Sequence, residues 1–83
     1  NIMNIARRKR IIKVIEIISE QKDILTEICE EETEAQDNTM EGIRETEKFL
    51  QDEEHLSDLE SLADDLDTTY NEIQQIFDIE YYM

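Results

Sequence analysis

Ile11-Ile12-Lys13-Val14-Ile15-Glu16-Ile17-Ile18-Ser19-Glu20-Gln21-Lys22-Asp23-Ile24-Leu25-Thr26-Glu27-Ile28 is the stretch that decides the fold. Ile11, Val14, Ile18, Leu25 and Ile28 recur at alternating steps of three and four, with Gln21 in phase, and Ala35 continues the row. That spacing marks one face of an α-helix. A second row runs through the later half: Phe49, Leu56, Leu59, Ala63, Leu66, Tyr70, Ile73 and Phe77. The two rows mirror each other. Ile11 with Ile73, Val14 with Tyr70, Ile18 with Leu66, Leu25 with Leu59, Ile28 with Leu56 and Ala35 with Phe49 all have residue numbers adding to the same total. Two helices folded back on each other require this relation, so the expected fold is all-α, an antiparallel two-helix hairpin of coiled-coil type.

Working outward, the pattern predicts a single unit over residues 1–83, with helix one over about residues 4–37, a turn over 38–45 and helix two over about 46–79. Thr46 suits a helix N-cap, and the acids Glu45 and Glu47 suit the positive end of a helix. Asn38 and Gly42 are the residues best able to take left-handed backbone angles in the reversal. Met40 and Ile43 are expected to tuck under the turn and close the core. The tail Tyr81-Tyr82-Met83 has no assigned partner. Met3 is the expected start, with Asn1 and Ile2 ahead of it as an expression remnant.

The chain has 83 residues, no proline and one glycine, a composition suited to uninterrupted helices. Its formal charge is −15, from 8 basic and 23 acidic residues. Arg7, Arg8, Lys9, Arg10 and Lys13 place +5 on the first thirteen residues, and the remainder carries −20. Composition of this kind suits disorder, but disordered acidic chains do not keep apolar residues in register. No run of about 18 apolar residues exists to span a bilayer. The single Cys29 excludes an internal disulfide and fits a reducing compartment. The expected location is the cytoplasm of a bacterial host cell.

Each helix would be about 50 Å long at roughly 1.5 Å per residue. A thin rod buries little surface, and a lone hairpin of this length is marginal. Further apolar residues address that deficit. Ile17 and Ile24 flank the first row, and Leu62 and Ile76 flank the second. Ile12, Ile15 and Cys29 widen the apolar surface of helix one. These four flanking residues are the candidate self-association face, through which two copies would form a four-helix bundle. One mirror pair fits badly: Glu32 and Asp52 would bring two carboxylates into the seam, so either the helices splay near the turn, which is the favoured expectation, or the register shifts there, or one carboxyl is protonated or bound by a cation.

No catalytic set emerges, and the expectation is a protein that is not an enzyme and needs no cofactor or metal. His55 is the only histidine, and Asp52-x-x-His55 occurs once, where a di-metal bundle needs the pattern on two helices. Asp64-Asp65-Leu66-Asp67 lacks the glycine and glutamate of a calcium loop. Cys29 precedes Glu30-Glu31-Glu32, whose charge suppresses a thiolate. Gly42 alone cannot build a phosphate-binding loop. Arg7-Arg8-Lys9-Arg10 could grip phosphate, but a solvated helix end paired with acids such as Asp78 and Glu80 explains it more simply. The acidic body would also repel a duplex, so nucleic acid is disfavoured as a partner. The acidic residues Glu30, Glu31, Glu34 and Glu53 form the candidate partner surface. A charge of −20 along about 50 Å is one per roughly 2.5 Å, against one per about 1.7 Å for duplex DNA, so the rod could occupy a basic nucleic-acid-binding groove on another protein. The simpler reading is that acidic faces keep a helical bundle in solution.

The segment Glu31-Glu32-Thr33-Glu34-Ala35-Gln36-Asp37-Asn38, followed by Glu41-Gly42-Ile43-Arg44-Glu45-Thr46-Glu47, resembles a family of short acidic helical proteins of bacteriophages, prophages and bacteria. Their shared pattern is Glu-Glu-x-Glu-Ala-x-Asp-Asn, a turn containing Pro-Glu, then Ser-Glu opening a second helix. This chain has Met40 where the turn proline is expected. The resemblance implies a phage-type or bacterial accessory protein and supplies no catalytic residue. The expected function is therefore binding of another protein, such as a host or defence factor, by a homodimer. The alternatives are a structural or assembly module working through apolar faces, and nucleic-acid binding through the basic segment.

Overall fold

The computed structural model describes residues 4–77. Asp78, Ile79, Glu80 and the tail Tyr81-Tyr82-Met83 lie outside the described residues, as do Asn1, Ile2 and Met3. The protein is all-α, with α1 (Ile5–Asp37), α2 (Glu41–Arg44) and α3 (Glu47–Phe77) and no strand among the described residues. It measures 61 × 18 × 15 Å, an elongated shape that fits a two-helix hairpin.

Each terminus of the long helices has a local cause. Asn4 is extended at φ −62°, ψ 145°, and its Oδ1 accepts a hydrogen bond from the Arg7 amide at 3.0 Å, which caps α1. At the far end the Asn38 amide donates to the Glu34 carbonyl, and the Thr39 hydroxyl donates to the Ala35 carbonyl at 2.9 Å. Thr46 caps α3: its hydroxyl oxygen accepts from the Phe49 amide at 3.3 Å while donating to the Ile43 carbonyl.

The turn departs from expectation in two ways. Asn38 sits at φ −91°, ψ 3°, and Gly42 lies inside α2, so the chain reverses through a short helix without a left-handed residue at either place. Met40 and Ile43 are exposed rather than tucked beneath it. The end of the core is closed instead by Phe49 and Gln36, both buried. Arg44 fastens this end: its Nη2 donates to the Gln36 carbonyl at 2.9 Å, and its guanidinium lies 5.9 Å from the Phe49 ring centre.

Helices α1 and α3 lie against each other. Their contacts follow opposite chain order. Near the turn, Gln36 and Glu32 share a cavity with Phe49 and Asp52. Midway, Lys22 Nζ reaches Asp67 Oδ1 at 3.3 Å. At the far end, the Arg8 guanidinium lies 5.9 Å from the Phe77 ring centre. Glu32 and Asp52 do come to one place, half-buried, with Lys48 Nζ 3.8 Å from Asp52.

The α3 row is buried at Phe49, Leu56 and Ala63 and half-buried at Leu66, Tyr70, Ile73 and Phe77, while Leu59 stays exposed. The α1 row is displaced by one residue from the one first read. Ile11, Ile18 and Leu25 are half-buried, but the alternate positions are Ile15, Lys22, Cys29 and Gln36, not Val14, Gln21, Ile28 and Ala35. Ile15 is 2% exposed and Val14 is 50% exposed, so the assignment is unambiguous. The sequence holds two rows that share every second member. The row containing Lys22 is tolerated in the seam because the ammonium leaves it to meet Asp23 at 3.1 Å and Asp67 at 3.3 Å while its stem covers apolar surface. The same two acids, Asp23 first and Asp67 second, hold the Lys22 pKa above its usual value.

Candidate functional site

Displacing the α1 row leaves Val14, Gln21, Ile28 and Ala35 on the surface, next to Ile17 and Ile24. The six large or polar members, Val14, Ile17, Gln21, Ile24, Ile28 and Glu31, follow steps of three and four and are all exposed. On α3, Leu62 precedes buried Ala63, and Ile76 precedes half-buried Phe77. Stepping back one residue turns about 100° around a helix, in the same sense seen from each N-terminus. Because α1 and α3 run in opposite directions and face each other, these steps emerge on the same side of the rod. A cavity lined jointly by Ile28, His55 and Leu59 marks that side directly.

The four residues expected to form a self-association face are thus brought together on one side. Ile17, Ile24, Leu62 and Ile76 are between 43% and 73% exposed. Val14, Ile28 and Leu59 extend the face, and the sequence reading missed them because it placed all three in the seam. Exposed apolar residues gathered on one side of both long helices suit an interaction surface better than scattered exposure does.

The opposite side has different chemistry. Glu30, Glu34 and Asp37 of α1 and Glu60 and Asp64 of α3 line one groove, with Thr26, Thr33 and Ala63 between them. Of the acidic residues expected to meet a partner, Glu30 and Glu34 lie in this groove. Glu31 is exposed on the apolar side, and Glu53 is exposed nearer the start of α3, outside the groove. Asp37, Glu60 and Asp64 were missed, although Glu30, Glu34 and Asp37 follow helical spacing and that signal was available. Cys29 borders the groove but is buried. Its thiol is pushed above the usual value, first by burial and then by the negative charge of Glu60. Such a group is a poor nucleophile, and the groove is built to attract cations.

His55 is exposed and borders the apolar-side cavity with Asp52 and Glu32. Among the described residues, no group of three or more His, Cys, Asp or Glu side chains could hold a metal ion. No described helix is long and apolar enough to cross a membrane. At the far end of the rod, Arg7, Lys9, Arg10 and Lys13 surround a shallow hollow on α1. No family model matches the chain, and no curated protein or solved structure matches it.

Proposed function

We propose that this protein is a non-catalytic binding module: an antiparallel helical hairpin that pairs through its apolar side into a four-helix bundle and presents its acidic grooves to a basic protein. The observation that carries this reading is the segregation of the two sides. Glu30, Glu34, Asp37, Glu60 and Asp64 gather in one groove, and Ile17, Ile24, Leu62 and Ile76 lie on the other side. Two-faced construction lets one surface assemble the module while the other recognises a target. The resemblance around residues 31–47 supports an accessory protein of phage or bacterial type that blocks or redirects a host or defence factor, with a basic nucleic-acid-binding groove as the site it occupies.

The test is a pulldown from bacterial lysate with the native protein and with Glu30→Gln/Glu34→Gln/Glu60→Gln/Asp64→Asn. The native bait should retain basic, nucleic-acid-handling proteins at low salt, release them as salt rises, and lose them in the variant. Retention of no basic protein, or equal retention by the variant, would count against the acidic groove as the recognition surface. A second reading draws on the apolar side: a structural module that joins partner helices through Ile17, Ile24, Leu62 and Ile76. Capture that persists in high salt and is lost on Ile24→Glu would favour it.

A further inference from the structure

With 23 acids against 8 bases the chain has carboxylates to spare, yet residues 4–15 hold five cations and no acid. Glu16 is the first acid of α1. Phe77 meets Arg8, so the last turns of α3 stand level with this end, and residues 68–77 supply only Glu72. One of the five cations, Arg8, is half-buried against the Phe77 ring. The other four, Arg7, Lys9, Arg10 and Lys13, are exposed, and among the described residues none of them forms an ion pair. Gathering like charges is unfavourable for the chain alone and favourable against an anionic surface.

The four cations share a shallow hollow with Ile11 and Val14. Among the described residues, all that line it belong to α1, so no opposing wall encloses a small anion and a broad partner fits better. Val14, Ile17 and Ile76 are exposed beside it. The phosphates of a duplex would satisfy the cations and leave these aliphatic side chains in water. An anionic bilayer satisfies both, because headgroups take the cations and the boundary with the acyl chains takes the aliphatic groups. The acidic body does not cancel this attraction. From Glu20 onward the acids of α1 lie about 15 Å or more along the helix from Arg10, beyond the screening length of about 10 Å in 0.1 M salt.

We propose that this end of the rod docks peripherally on an anionic lipid surface, with Arg7, Lys9, Arg10 and Lys13 against the headgroups and Val14, Ile17 and Ile76 at the acyl boundary. The acidic body extends away from the surface. This activity goes beyond the proposed binding of a basic protein and does not depend on it. Because Val14, Ile17 and Ile76 also belong to the self-association side, a bilayer and a second copy compete for this end.

Cosedimentation with phosphatidylcholine vesicles, with and without an equimolar share of phosphatidylglycerol, tests it in about 0.1 M salt. The native protein should bind the anionic vesicles about tenfold or more tightly than the neutral ones and leave them as salt rises. Arg7→Gln/Lys9→Gln/Arg10→Gln/Lys13→Gln should fall to the neutral-vesicle level. Val14→Ser/Ile17→Ser, which keeps every charge, should weaken binding several-fold. No preference for anionic vesicles, or equal binding by the glutamine variant, would overturn the proposal. So would binding that appears only in Asp78→Asn/Glu80→Gln, since the cations would then be neutralised within the chain. A duplex oligonucleotide held more tightly than the vesicles, and equally by Val14→Ser/Ile17→Ser, would replace lipid with nucleic acid as the partner. Circular dichroism checks that each variant stays helical.

Discussion

At the residue scale the turn offers the sharpest expectations. Gly42 is helical, and a Cβ added there meets nothing within 4 Å. Gly42→Ala should therefore stabilise the fold by roughly 0.5–1 kcal/mol, read as a higher midpoint in thermal unfolding. A left-handed glycine would give the opposite sign. Thr46→Ala removes the oxygen that accepts from the Phe49 amide and should cost about 1 kcal/mol, largely recovered by Thr46→Ser. Cys29 carries a pH expectation. Its native pKa lies above the ordinary value of 9.0, so the native state holds the proton more tightly than the unfolded chain. The stabilisation is complete below about pH 9 and is lost as pH rises from there through the native value. Lys22, whose pKa is likewise raised, acts in the same direction above the ordinary lysine value of 10.5. Urea unfolding of the native protein between pH 8 and 10 should show stability falling toward the alkaline end, with a smaller fall for Cys29→Ala. In the same range, alkylation of Cys29 should be slow until the chain is unfolded.

At the element scale, the mirrored rows were enough to read two long helices, but not which of two adjacent rows on α1 faces α3. Both rows contain Ile11, Ile18 and Leu25, and the remaining members differ by one position. The sequence reading placed Val14, Gln21 and Ile28 in the seam and set Ile15 and Cys29 beside it, whereas the observed row also brings in Lys22, which taken alone would be costly there. The cost disappears once Asp67 is placed beside it, and nothing local to α1 announces that partner. The apolar side was legible in part, through Ile17, Ile24, Leu62 and Ile76, but its full width depended on the offset. The acidic groove needed α3 set against α1 before Glu60 and Asp64 could be seen beside Glu30 and Glu34. Arg44 was read only as a charge, since its contact with the Gln36 carbonyl depends on how α2 turns. The offset is tested by paired truncations. Ile15→Ala opens a cavity in the seam and should cost roughly 2 kcal/mol or more. Val14→Ala should leave the intrachain fold almost unchanged and weaken self-association instead. Equal losses of stability for the two variants at a concentration where the chain is monomeric would contradict the assignment.

At the scale of the molecule, a rod of 61 × 18 × 15 Å has little interior, and among the described residues the buried apolar ones are few: Ile15, Cys29, Phe49, Leu56 and Ala63. The exposed apolar side is the surface through which more could be buried, so helix content and assembly should be linked. A chain carrying −15 repels its own kind, and raising salt screens that repulsion while favouring apolar burial, whereas recognition of a basic partner weakens in salt. Opposite salt responses of self-association and target binding are the signature of one side serving each role. Sedimentation equilibrium of the native chain at micromolar concentration, in low and in high salt, tests this account most directly. The account gives twice the chain mass, with association persisting or tightening as salt rises. A helical monomer at both salt concentrations would contradict it.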